Sequence, residues 1–408
     1  MAGIFPAIIF IAMSRFHSYI NSAVKIIKSY KGDIPFAFFL KKFFAAEKKY
    51  GSKDRRQIGS LCYMYFRLGH AFPAALMPEK IITAVFLCSD QHSPLLDTMQ
   101  PEWNKNMQLP LKEKLLILKN DFTLQQIFPF ANELSEGVDA EQYAASFLIQ
   151  PDLFLRMRPG YKNSVIEKLE TTAWTYSLPA PDCIQLPAGT KADSIFLPDR
   201  EAVVQDYNSQ KVLDYLKAHK DFFKKLQRIS VWDCCAASGG KSILFNDIID
   251  VAFDLTVSDI RQSIIDNLHQ RFATAGIKNY TAFTANLYDD KRKQKEDKYD
   301  VIICDAPCTG SGTWSRTPEQ LCFFKAAAIN EYSSRQKMIV SSLIPQLNKG
   351  GLLFYITCSV FKKENESVVE FIMQTHGLLL LETTFLTGYD KKADSMFTAV
   401  FTTTADAD

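Results

Sequence analysis

Histidine is scarce in this chain: six in 408 residues, each isolated. No two pairs of cysteine or histidine combine into a zinc-site pattern, so the sequence predicts no metal. The nine cysteines are odd in number and scattered. That excludes a disulfide framework and points to free thiols in a reducing, cytoplasmic compartment. A membrane-spanning run is missing too. Met1 to Ala12 carry no charged side chain, but the run is too short for a bilayer and no basic segment precedes it. Met13 directly precedes a charged amphipathic stretch and is the expected start, with residues 1–12 an extension; a membrane anchor is the other reading. Strong net charge is also absent, at +2. The charge is uneven, however. From Arg15 to Arg56 there are 11 Lys/Arg against 3 Asp/Glu, a local excess of +8. Such a block suits a phosphate backbone, although charge alone leaves open a solvated helical face.

What is present is a change of texture along the chain. Phe16, Tyr19, Ile20, Ala23, Val24, Ile27 and Tyr30 recur with helical period. Similar stripes at Phe36–Phe44, Ile58–Leu68 and Leu111–Ile117 predict an all-helical domain over residues 1–148. A small α+β unit is expected over 149–210, with strands at Leu153–Met157, Cys183–Leu186 and Ser194–Leu197 and a helix at Ser164–Thr171. A helix from about Lys211 to Lys217 follows. From about Ile229 strands and helices alternate. Strands are predicted at Ile229–Trp232, Leu255–Ser258, Val301–Cys304 and Leu352–Ile356. Helices are predicted at Lys241–Ile249, Gln262–Ala275, Ile329–Leu347 and Asn365–Gln374. This period predicts a doubly wound, mainly parallel α/β sheet over 211–408. Ligands of such sheets sit beyond the carboxyl ends of the strands, where Asp233, Asp259, Asp305 and Cys358 fall.

Ser238-Gly239-Gly240-Lys241 follows a strand and opens a helix, a place where backbone N–H groups can meet a ligand. Lys241 is not a nucleotide-loop lysine, because the G-x-x-x-x-G-K-[ST] spacing is missing. Asp259 ends the next strand, where a carboxylate binds the ribose of an adenosine cofactor; a helix cap is the plainer alternative. Cys308 and Cys358 each follow a strand in the same half of the chain. A cofactor turn with two thiols beside it is what methylation of pyrimidine C5 requires.

The motifs carry a resemblance. Asp233-Cys234-Cys235-Ala236-Ala237-Ser238-Gly239-Gly240-Lys241 resembles D-x-C-A-A-P-G-G-K of the Sun (nucleolar-protein) family of S-adenosylmethionine-dependent RNA cytosine-C5 methyltransferases. Asp305 to Gly310 is similar to its D-x-P-C-[ST]-G, and Tyr355 to Ser359 with Glu364-Asn365-Glu366 to its Y-x-T-C-S…E-N-E. Val204 to Gln210 resembles its V-Q-D-x-x-S-Q. The helical part, with Lys53-Asp54-Arg55-Arg56, resembles a NusB-like RNA-binding domain. The resemblance implies a Rossmann-like class I methyltransferase domain, preceded by an RRM-like unit, acting on RNA, here 16S ribosomal RNA; a monomer is expected. It implies that Cys235, Ala236, Ala237, Ser238, Gly239, Gly240 and Lys241 hold the methionine end of S-adenosyl-L-methionine, Asp259 its ribose and Asn286 its adenine. Asp305 would lie between cofactor and base. Cys358 would be the nucleophile, Cys308 would release the product, and Lys53, Arg55 and Arg56 would meet RNA.

For Cys62, Cys88, Cys183, Cys304 and Cys322 the expected role is a core thiol, and for Cys234 and Cys235 loop packing. Three departures from the family pattern stand out. Ser238 replaces a proline, which should loosen the turn; Asn286 replaces an aspartate; Asp394-Ser395-Met396-Phe397 replaces D-G-F-F. They leave a second reading, an impaired RNA-binding assembly factor of the same fold. Methyltransferases acting on DNA cytosine or amide nitrogen are disfavoured by Thr357-Cys358-Ser359 and by the absence of an N-P-P-Y-like segment.

Overall fold

The computed structural model describes residues 5–118, 122–223, 226–288 and 297–403, with side chains except at 5–14 and 220–221. The proposed start at Met13 concerns a segment whose first four residues lie outside that range. The chain divides into two compact units, one comprising 1–132, 139–150 and 314–325, the other 133–138, 151–313 and 326–408.

The first unit is helical. Its longer helices span Phe5–Ser29, Phe36–Ala46, Ser52–Arg67 and Met77–Leu87. Their apolar stripes meet in an aromatic core in which the Tyr30 ring lies 4.9 Å from Phe36 and 5.2 Å from Phe323. The short stretch 314–325 belongs here although it lies far along the chain. Arg67 explains part of this. Its buried guanidinium donates to the carbonyls of Phe147 (2.8 Å), Ile149 (2.9 Å) and Ser315 (3.0 Å). Among the described residues no helix is long and apolar enough to cross a membrane.

The second unit holds two sheets. The smaller contains β1 (Leu153–Met157), β2 (Ser177–Ala180), β3 (Cys183–Leu186) and β4 (Ala202–Val204), in the order β2-β3-β1-β4 and antiparallel throughout. A helix at Lys162–Glu170 covers it through Val165 and Leu169. The strand expected at Ser194–Leu197 does not form. Residues Ala192–Ser194 make a 3-10 turn, and the buried Phe196 plugs the core instead of extending the sheet. The helix expected from Lys211 begins only at Asp214.

The larger sheet contains β5 (Arg228–Asp233), β6 (Ala252–Asp259), β7 (Tyr280–Thr284), β8 (Tyr299–Asp305), β9 (Leu347–Thr357), β10 (Leu379–Leu386) and β11 (Met396–Thr402). Their order is β10-β11-β9-β8-β5-β6-β7. Strands β5 to β9 run parallel, and β11 pairs antiparallel with both β9 and β10. Both faces are apolar, as a covered parallel sheet requires. Val231, Val257, Ile303 and Phe354 pack on one side with Leu244, Leu268 and Phe272. Trp232, Ile302, Cys304 and Tyr355 pack on the other with Ile339, Leu343 and Ile372. The predicted Rossmann-like α/β class is thus observed, with the antiparallel edge as the addition.

Candidate active site

Because β5, β6, β8 and β9 are parallel, their carboxyl ends share one edge. Asp233, Asp259 and Asp305 are the last residues of β5, β6 and β8, and Cys358 follows β9 directly. Sequence reasoning placed these four together, and the topology brings them there.

After β5 the chain turns sharply. Ala237 (φ 47°) and Gly239 (φ 83°) are left-handed, and the helix Gly240–Ile248 starts at once. A Cβ at Gly239 would sit 2.5 Å from the Phe272 ring, so only glycine lets this turn close on the next helix. The turn is not loosened by Ser238. Arg271 donates to the Ser238 carbonyl (2.9 Å) and hydroxyl (2.8 Å), and Asp199 holds Arg271 with two bonds of 2.8 and 2.6 Å. A side-chain clamp thus holds the turn at Ser238.

Asp259 is buried and does two jobs. One carboxylate oxygen accepts the Ala237 N–H at 3.2 Å, tying the turn to β6, and the other accepts the Arg261 N–H at 3.0 Å. The helix Gln262–Ala275 starts from Arg261 without a side-chain cap, so Asp259 braces the approach to that helix and does not cap it. Just past β7, the Asn286 side-chain oxygen is buried without a hydrogen-bond partner. An orphaned acceptor beside Asp259 suits an exocyclic amine such as that of adenine. With the left-handed turn and the Asp259 carboxylate, it makes these residues a fit for S-adenosylmethionine.

Lys241 and Asp305 form an ion pair at 2.5 Å, both largely buried. Burial disfavours the Lys241 ammonium, but Asp305, with Cys358 and Asp233 nearby, more than offsets this and raises its pKa. Beneath them Asp233 accepts from Ser242 at 2.6 Å, and its other oxygen has no partner. Burial pushes its carboxyl up to about 7.

The two cysteines face each other, sulfur to sulfur at 3.4 Å. Contact with the Cys358 sulfur, then burial, pushes the Cys308 thiol well up. What fixes the pair went unread in the sequence. Thr309 follows Cys308, and Ser359 follows Cys358. Both are pinned to Glu364, whose carboxylate accepts the Thr309 N–H (2.9 Å), the Thr309 hydroxyl (2.6 Å), the Ser359 hydroxyl (2.6 Å) and the Gln336 amide (3.1 Å). Asn365 adds a bond to the Ser359 carbonyl at 2.9 Å. The signal was the matched Glu364-Asn365 motif; the fold supplies its meaning. Gly312 closes the floor. Its N–H donates to the Cys358 carbonyl at 2.8 Å and its carbonyl accepts the Ser395 N–H at 3.0 Å, so the Ser395 departure is absorbed by backbone pairing.

Three further thiols gather where pairwise spacing gave no warning. The sulfurs of Cys234, Cys235 and Cys304 lie within 4.8 Å of one another. Cys304 is the buried core thiol expected of it, and Cys234 and Cys235 pack against the same core cluster. In the helical unit Lys53 and Arg56 are exposed. Arg55 is half-buried, donating to the Tyr50 carbonyl at 2.8 Å and lying over the Phe44 ring. The +8 stretch thus offers Lys53 and Arg56 freely and Arg55 only in part.

Comparison with known proteins follows the same lines. Residues 224–404 match the family model described as 16S rRNA methyltransferase RsmB/F. The chain is 27% identical over 197 residues to a probable ribosomal RNA small subunit methyltransferase B of Bacillus subtilis, covering 48% of this chain and 42% of that one. It is 28% identical over 248 residues to ribosomal RNA small subunit methyltransferase B of an Enterobacter species, covering 57% and 54%. The chain spans about half the length of these curated relatives. Among solved structures, a protein described as PH0851 superposes with TM-score 0.66 at 17% identity, covering 94% of this chain and 98% of its own. NSun6 from Pyrococcus horikoshii, solved with SFG, gives TM-score 0.55 at 14% identity, covering 69% and 97%. At these identities the two structures speak for the fold.

Proposed function

We propose that this chain, whose residues 224–404 match the family model of 16S rRNA methyltransferases RsmB/F, methylates cytosine C5 in small-subunit ribosomal RNA. The observation that carries the reading is the pair of sulfurs 3.4 Å apart, beside Lys241 and Asp305, at the edge where the cofactor turn lies. S-adenosylmethionine supplies an electrophilic methyl group. The turn from Cys235 to Lys241, Asp259 and Asn286 would hold it.

The chain's own groups answer the difficulty of the reaction. Cytosine C5 is a weak nucleophile. Addition of the Cys358 thiolate to C6 turns the ring into an enamine and makes C5 reactive. The Lys241–Asp305 pair lies beside the sulfur, so a hydrogen-bonding group faces the ring as charge develops there. After C5 has gained its methyl group it still carries a proton. A base must take that proton so that the C6–S bond can break and Cys358 leave. Cys308, in contact with the departing sulfur, is the group we assign to take that proton, as its thiolate, and Glu364 holds both loops in register. Lys53 and Arg56, with Arg55 in part, would meet RNA phosphates, which position a substrate without specifying its sequence.

The test is release of tritium from RNA labelled at cytosine C5, measured with S-adenosylmethionine present. C5 methylation expels that hydrogen, so tritium should appear in step with methyl incorporation. Methyl incorporation without tritium release would move the reaction to another atom. Neither signal, with RNA still bound, would leave an assembly factor without catalysis.

A further inference from the structure

We propose that Cys234, Cys235 and Cys304 form a three-sulfur site for a thiophilic divalent cation of the zinc–cadmium class. The site is assembled by the sheet. Cys304 is the penultimate residue of β8, and Cys234 follows the end of β5, the neighbouring parallel strand. The Cys234 N–H donates to the Ile303 carbonyl at 3.0 Å, which locks the two strand ends together. Cys235 is the next residue along, so three thiols separated by up to 70 positions share one spot.

Their geometry is close to that of a metal centre. The sulfurs all lie within 4.8 Å of one another, and the Cys234–Cys235 separation is 4.0 Å. Zinc–sulfur bonds of about 2.3 Å in a tetrahedron place sulfurs about 3.8 Å apart. Small side-chain rotations would therefore close the site around an ion. The donor set is all sulfur, which selects soft ions over magnesium or calcium. Three protein ligands leave one position for water. Cys234 and Cys304 are 2% and 0% exposed, whereas Cys235 is partly open and provides the way in. Binding exchanges protons for the metal: each thiol that coordinates gives up its proton to water and forms one metal–sulfur bond. An occupied site would fasten Cys235, and with it the start of the cofactor turn, to the end of β8. The plainer account is three thiols packed as small hydrophobes, and the experiment separates the two.

The full-length chain carrying Cys308→Ala and Cys358→Ala, which removes the other close thiol pair, is fully reduced under anaerobic conditions and titrated with cadmium. The thiolate-to-cadmium charge-transfer absorption should grow to saturation at one ion per chain, and zinc should displace it. Cys304→Ala and Cys234→Ala added to that background should abolish it. Absence of the absorption, or its persistence in Cys304→Ala, overturns the proposal. Should either buried variant fail to fold, Cys235→Ser at the partly open position decides. At least tenfold weaker cadmium binding supports the site, and unchanged binding refutes it.

Discussion

Replacing Glu364 tests whether one carboxylate holds both cysteine loops. In Glu364→Ala four donors lose their acceptor. The Thr309 and Ser359 hydroxyls have an alternative, since the Ser311 hydroxyl lies 3.2 Å from each. The Thr309 N–H loses its 2.9 Å bond to Glu364, and the Gln336 amide keeps its 3.0 Å bond to the Pro307 carbonyl. Each stranded buried donor costs about 1–3 kcal/mol, and the lost side chain leaves a cavity. Glu364→Ala should thus destabilise the second unit by about 3–5 kcal/mol. Glu364→Gln should behave differently. Its amide oxygen can accept from the Thr309 N–H and Gln336, and its amide N–H groups can donate to the two hydroxyls, which rotate to accept. The expected cost is about 1 kcal/mol. Denaturant unfolding of the two variants measures the difference. Methyl transfer at saturating cofactor measures the consequence, a turnover loss with cofactor affinity unchanged and rescue by Gln. If Ala is as mild as Gln in both assays, Glu364 does not fix the pair.

Burial, opposed by its donors, holds the Glu364 carboxyl above its ordinary range. The ionised form is thus disfavoured in the folded chain. The stability that Glu364 contributes is fullest below about pH 4.3 and is lost as pH rises through the folded value; denaturant unfolding across that window should show Glu364→Gln lacking this slope. Cys308→Ala should permit addition and methylation but stall release, leaving a covalent protein–RNA species on denaturing gels. Cys358→Ala added to it should abolish that species, and normal turnover of the single variant would refute the two-thiol mechanism. Asp259→Ala should weaken S-adenosylmethionine binding by about 1.5–3 kcal/mol through loss of a charge-assisted bond; unchanged affinity by calorimetry would remove it from the site. Arg271→Ala frees Ser238 and should also weaken cofactor binding, whereas equal affinity would mean the turn holds its shape unaided. Charge reversal at Lys53 and Arg56 should flatten the salt dependence of RNA affinity, and reversal at the half-buried Arg55 should do so less; a slope unchanged by all three would make this stretch a solvated helical face.

Motif and period determined much of this protein. Alternating strands and helices from Ile229 onward dictated a parallel sheet, because apolar runs of that length must be covered on both faces. The parallel direction then sends Asp233, Asp259, Asp305 and Cys358 to one edge, so the site was legible at its strand ends. Apolar stripes in the first 118 residues likewise specified helices. Contacts between distant positions were not legible. Only the tertiary structure assigned 314–325 to the helical unit, since the buried Arg67 reaches Ser315 across a separation no local pattern records. Only packing showed that Arg271, held by Asp199, clamps Ser238. The same holds for Glu364 binding two loops and for Cys304 meeting Cys234 and Cys235. Sequence periodicity reports which face of an element is buried. Which partners meet on that face is settled by strand order and register.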